Sequence, residues 1–144
     1  MNYDVSNVMA VCDLDSNRMK DGKILVDNFY KEKKGKKRYN GTRMYEDYRE
    51  MLLDKDIDAI MISTPDHWHA QPAIEAALAG KDIYLQKPTS LTVKEGRQLV
   101  DVVKNSDVVL QVGTQQRAMP QFRIAAELVS CLLYTSPSPR DSDS

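Results

Sequence analysis

Four short apolar runs constrain this chain more than any other feature of it. Val8-Met9-Ala10-Val11-Cys12 ends at Asp13, and Ala59-Ile60-Met61-Ile62 ends in Ser63-Thr64-Pro65. Ile83-Tyr84-Leu85 ends in Gln86-Lys87-Pro88, and Val108-Val109-Leu110-Gln111-Val112 ends in Gly113. None alternates apolar with polar residues. Short, continuous runs rich in β-branched residues and bounded by turn residues are the pattern of strands buried on both faces of a parallel sheet. Parallel strands need long crossovers, usually helices, and helical patterns lie between the runs.

Gln71 to Ala79 carries apolar Ile74, Ala77 and Leu78, with Pro72 in its first turn and Gly80 as its stop. Thr92-Val93-Lys94-Glu95 is a capping box, and Leu99, Val100 and Val103 continue it as an apolar stripe. Tyr45 to Leu53 reads as a short helix that buries Tyr48, Met51 and Leu52. Asn17 to Tyr30 reads as another, weakened by Gly22, and Phe122 to Val129 begins a last one. Lys31 to Arg38 reads as a solvated loop, with a phosphate-binding patch as the alternative. Strand and helix in alternation specify right-handed βαβ units, so the expected fold class is α/β, a doubly wound, Rossmann-like parallel sheet.

A chain of 144 residues suffices for one ordinary domain. Residues 1–129 form that domain in this reading. From about Ser130 the composition shifts to Ser and Pro, and CLLYTSPSPRD resembles translated sequencing adapter, so 130–144 is read as a non-native tail. The net charge of -1 gives no case for nucleic acid or an anionic membrane. No apolar run approaches the ~18 residues of a membrane-spanning helix. Cys12 and Cys131 make neither a disulfide framework nor a ligand cluster. MNYDVSNVMAVCD has no signal-peptide pattern. The compartment stays undecided, with the cytoplasm favoured over the periplasm.

Ligands of doubly wound sheets bind outside the carboxyl ends of the strands. The polar residues gather there: Asp13, Ser63 to His69, Gln86 to Pro88, and Gly113 to Arg117. A carboxylate at Asp13 can accept both hydroxyls of an adenosine ribose and repel a 2′-phosphate, which favours NAD over NADP. The alternatives are helix capping by Asp13 or Asp15, and a 2′-phosphate partner in Arg18. Asp66, His67 and His69 could ligate a metal, as in a hydrolase, but these are the only two histidines of the chain and further ligands would be needed. Pro88 fixes its own φ and lacks an amide donor, which could hold Lys87 at one angle for work on a substrate hydroxyl and a cofactor ribose. Gln115, Gln116 and Arg117 could bond a carboxamide or sugar hydroxyls.

Together AVCDLD (Ala10 to Asp15), DAIMISTPDHWHA (Asp58 to Ala70), AALAGKDIYLQKP (Ala76 to Pro88) and LQVGTQQR (Leu110 to Arg117) resemble the N-terminal domain of the Gfo/Idh/MocA oxidoreductases. The resemblance implies a Rossmann domain that holds NAD or NADP, followed by a substrate domain. It implies hydride transfer between nicotinamide and a sugar, cyclitol or derivative in a homo-oligomeric enzyme. It assigns Asp13 to the adenosine ribose, and Thr64, Pro65 and His69 to the cofactor. Lys87 becomes the catalytic lysine of a Glu-Lys-Pro motif, Gln86 its neighbour on the cofactor, and Gln115 and Arg117 lie near nicotinamide and substrate. No metal is implied.

Three departures qualify the resemblance. The glycine-rich turn and its preceding strand are absent, since the six glycines cannot supply G-x-G-x-x-G. The C-terminal domain is also absent, so the chain reads as a truncated, inactive fragment. Gln86 stands where the family has Glu. Two alternatives remain: an NAD-retaining glycosidase-type enzyme of the same family, and a noncatalytic Rossmann-like binding module.

Overall fold

Parallel pairing is what the strand-forming runs deliver. The computed structural model describes residues 6–34 and 41–130. β1 (Ala10–Cys12) pairs in parallel with β2 (Arg43–Tyr45). β3 (Ala59–Ile62), β4 (Asp82–Leu85) and β5 (Leu110–Val112) form a second parallel sheet in that order. Ile60 stands opposite Ile83, and Ile83 opposite Leu110. The α/β class with parallel strands is therefore as expected, but the strands stand in two sheets rather than one. Among the described residues no ladder joins β1 to β3.

Burial on both faces is not found. On β3, Ile60 and Ile62 are buried while Met61 is 69 % exposed. The buried face packs under α3 (Ala70–Leu78) and α4 (Val93–Lys104). The reason lies in the helices: small Ala73, Ala76 and Ala77 let α3 approach Ile83 and Leu85, and Leu99 of α4 closes the same core. Leu85 is fully buried there.

Local signals explain the helix ends. The capping box forms as expected: the Glu95 amide donates to Thr92 Oγ1 at 3.2 Å, and the Thr92 amide donates to Glu95 Oε2 at 2.9 Å. α3 ends where Gly80 takes a φ of 71°. The Gly80 amide donates to the Ala77 carbonyl and the Lys81 amide to the Ala76 carbonyl, each at 3.0 Å, which is the pairing of a Schellman cap. That turn carries Lys81 inward, where its Nζ donates to the carbonyls of Asp54 at 2.8 Å and Ile57 at 2.7 Å.

Two expectations need correction. α1 (Ser16–Lys34) runs past Tyr30 into the lysine-rich stretch, because lysine is a good helix former and suits the C-terminal end of the dipole. The rest of that stretch, 35–38, lies outside the described residues. Tyr45 ends β2 instead of opening a helix. Asp47 then caps α2 (Tyr48–Leu52) by accepting from the Arg49 amide at 2.9 Å. The chain divides into two compact units, Met1–Val112 and Gly113–Ser144. Within the second unit lie a 3-10 turn (Gln115–Ala118) and α5 (Pro120–Ser130). Residues 131–144, most of the tail read as non-native, lie outside the described residues.

Candidate functional site

The turn after β3 is built from its own polar groups. Pro65 leads into a 3-10 turn, Asp66–Trp68. The Trp68 amide donates to the Pro65 carbonyl at 2.8 Å, and the Thr64 hydroxyl donates to the Trp68 carbonyl at 2.8 Å. Thr64, Pro65, Asp66 and His67 remain exposed. His69 does not: it is 1 % exposed, among the most deeply buried large side chains of the chain. Its Nε2 lies 2.8 Å from the Thr64 carbonyl and its Nδ1 bonds the Pro88 carbonyl.

The turn after β4 meets the first one through that ring. The Gln86 amide donates to the Ile62 carbonyl at 3.0 Å, which carries strand pairing up to the site. The Gln86 side chain bends back, its Oε1 accepting from the Lys87 amide at 3.2 Å. The Lys87–Pro88 peptide is cis. Lys87 is exposed, and its ammonium has no partner among the described residues. A cation fixed at its root and free at its tip can donate to an incoming hydroxyl.

Asp13 stands at the end of β1 and is half-buried. Its Oδ1 accepts from the Asp15 amide at 2.9 Å. Asp15 caps α1, accepting from the Asn17 amide at 2.8 Å, so the capping role falls to Asp15 and Asp13 keeps a carboxylate oxygen without a partner among the described residues. Arg18 lies 3.9 Å from Asp15. Beside Asp13, burial first, and then the charges of Asp13 and Asp47, push the Cys12 thiol up to about 11. The thiol is therefore a proton-bearing wall, not a nucleophile, at neutral pH.

Gln115 and Arg117 belong to the second unit, both exposed in its 3-10 turn. The Gln115 amide donates to the Gly113 carbonyl at 3.0 Å and the Arg117 amide to the Thr114 carbonyl at 3.1 Å. The metal alternative needs Asp66, His67 and His69 to converge. Among the described residues no group of three or more His, Cys, Asp or Glu could hold a metal ion. No helix of the described residues is long and apolar enough to cross a membrane. The sequence reading missed the Thr64 and Pro88 carbonyls as site elements. Main-chain atoms carry no residue-type signature, so only the proximity of a histidine to two strand ends could have pointed to them.

The chain is similar to known proteins in sequence and fold. The family model for GFO_IDH_MocA, described as an oxidoreductase family with an NAD-binding Rossmann fold, matches residues 2–114. The scyllo-inositol 2-dehydrogenase (NAD(+)) of Bacillus subtilis (strain 168) is 39 % identical over 101 residues, covering 67 % of this chain and 30 % of its own. Glycosyl hydrolase family 109 protein 1 of Shewanella sp. (strain ANA-3) is 46 % identical over 59 residues, covering 41 % of this chain and 13 % of its own. The crystal structure of myo-inositol 2-dehydrogenase from Lactobacillus plantarum superposes with a TM-score of 0.71 at 27 % identity, covering 85 % of this chain and 33 % of that one. The chain spans 13 % to 36 % of the length of the curated relatives it matches.

Proposed function

The chain belongs to the Gfo/Idh/MocA oxidoreductases, the family with an NAD-binding Rossmann fold, and we propose that it is the cofactor-holding part of an enzyme that passes hydride between nicotinamide and a sugar, cyclitol or related polyol. The observation that carries the reading is Lys87: an exposed ammonium without a partner among the described residues, rooted at the end of β4 where the turns after β3 and β4 are tied together.

The residues present fit a dinucleotide. Asp13 offers its unpartnered carboxylate oxygen to a ribose hydroxyl, and the same charge disfavours a 2′-phosphate, hence NAD over NADP. Arg18 lies 3.9 Å from Asp15, a counter-charge that weakens its claim on such a phosphate. Thr64 and Pro65 offer an exposed strand-end surface. When bound, NAD supplies the hydride acceptor. Lys87 would donate to the hydroxyl oxygen of the carbon being oxidised and orient it, and the hydroxyl proton that leaves as the hydride departs would pass to the acid/base group that the resemblance places in the substrate domain. Gln86 keeps the Lys87 amide occupied, which fixes the root of the side chain. The partner in this reading is a small polyol, the protein is cytoplasmic, and the assembly is a homo-oligomer.

The test uses the full-length protein that carries this segment. NADH binding is followed by fluorescence, and polyol oxidation by NADH formation. Lys87→Ala is expected to lower kcat about a hundredfold or more while NADH still binds. A wild-type protein that binds no nicotinamide cofactor overturns the reading. The match to a glycosyl hydrolase family 109 protein favours one second reading, redox-assisted glycoside cleavage. Sugar release from a glycoside without net NADH would select it.

A further inference from the structure

His69 was expected on the cofactor surface, yet its ring is 1 % exposed. An imidazole has two hydrogen-bonding atoms. Both ring nitrogens face main-chain carbonyls, Nε2 that of Thr64 and Nδ1 that of Pro88, so neither is open to a ligand; a carbonyl only accepts, so the ring donates to both when doubly protonated and to one of them in either neutral tautomer. Those carbonyls belong to the turns that follow neighbouring strands β3 and β4. The strand ladder between them ends at the Gln86 amide and the Ile62 carbonyl. Beyond that point, among the described residues, His69 makes the only hydrogen bond across to the Lys87 turn, through Nδ1 to the Pro88 carbonyl.

We propose that His69 is a positioning residue for Lys87: the buried imidazole clasps the Pro88 carbonyl, one residue past Lys87, to the turn at Thr64, and so sets the direction of the ammonium without touching cofactor or substrate. A buried polar side chain is kept where its bonds are satisfied, and removing one leaves a carbonyl unpaired. The cost of losing this clasp is therefore loosening of the Lys87 turn. Small displacements of a reacting group are expensive in rate, up to about a hundredfold for 1 Å. The kinetic part of the proposal rests on the oxidoreductase reading above; the structural part does not.

The two ring nitrogens can be tested separately. Asn presents an amide near the position of Nδ1, and Gln near that of Nε2. In the full-length protein His69→Gln keeps the Thr64 side and loses Pro88, and is expected to lower kcat about tenfold or more with the NADH Kd within about threefold of wild type. His69→Asn should rescue most of that loss. In a Lys87→Ala background His69→Gln should cost little further, because both act on one group. Equal kcat in the Asn and Gln variants, a Kd that weakens as much as kcat falls, or additive losses would overturn the proposal. Hydrogen exchange over residues 86–90, compared at a temperature where both variants keep the wild-type circular dichroism, supplies a readout that needs no activity. Faster exchange in the Gln variant than in the Asn variant supports the clasp, and equal exchange sinks it. If wild type neither binds NADH nor oxidises a polyol, the oxidoreductase reading fails and the exchange comparison still decides the clasp.

Discussion

The two sheets of the first unit are held by different physics. β3, β4 and β5 lie on an apolar core in which Ile62, Ile83, Leu85 and Ala73 are buried. β1 and β2 bury none of their six residues. Around them stand polar bridges: Arg43 reaches Asp54 and Asp56 at 3.0 Å each, Tyr45 donates to Asp54 at 2.7 Å, and Lys23 reaches Asp27 at 2.8 Å and the Thr42 carbonyl at 2.9 Å. Burial of apolar surface is not screened by counterions, whereas an ion pair that faces solvent, as Arg43 with Asp56 does, is weak and screened, and the half-buried pairs at Asp54 and Asp27 depend on keeping both partners. The turn that carries Lys87 is thus founded on the firm sheet, and Asp13 on the pliant one. Asp54 joins the two, since its carboxylate serves Arg43 and Tyr45 while its carbonyl accepts from Lys81.

The comparison breaks most readily at Leu85. Leu85→Ala is expected to cost about 2–5 kcal/mol in denaturant unfolding, because the residue is fully buried and little can collapse into the space. A loss no larger than that of a surface substitution would mean that the firm sheet is not firm. Lys81→Met keeps the stem but strips both carbonyls of their donor, and should cost about 1–3 kcal/mol by the same measurement. The smallest effects belong to pH. The Tyr45 hydroxyl first, then the Asp56 amide and nearby Arg43, hold Asp54 below its ordinary value. Burial opposes a low value at Glu75, but hydrogen bonds from Gln71 and Tyr48 and the charge of Arg49 outweigh it. Both carboxylates therefore stabilise the fold above their ordinary range and lose that contribution as pH falls through the lowered folded values. Asp54→Asn and Glu75→Gln should flatten the acid limb of Tm against pH while leaving Tm near neutrality less affected than Leu85→Ala does. An unchanged acid limb in both variants would remove these bonds from the account.

The same contrast governs what could be read in advance. β3 and β4 were legible because Ile60, Ile62, Ile83 and Leu85 form dense apolar runs, and the cap at Thr92 because its residue types and spacing have one stable geometry. β2 was not, since Arg43-Met44-Tyr45 is a polar strand held by distant charges rather than by its own pattern. Met61 misled because a continuous apolar run does not say which face will be covered. At the site, Lys87 stood out as a cation after a buried strand. His69 was visible as a residue but not in its partners, which are peptide carbonyls that any sequence would supply.

Trp68 is the only tryptophan of the chain. Its amide and carbonyl are both fixed within the turn, and its side chain is 39 % exposed one residue before His69. Indole emission from this segment therefore has a single origin, at the rim of the proposed site and on neither sheet. Excited at the red edge, where the seven tyrosines do not absorb, its colour and quenching report local solvation of that turn, giving an optical gauge that needs no label.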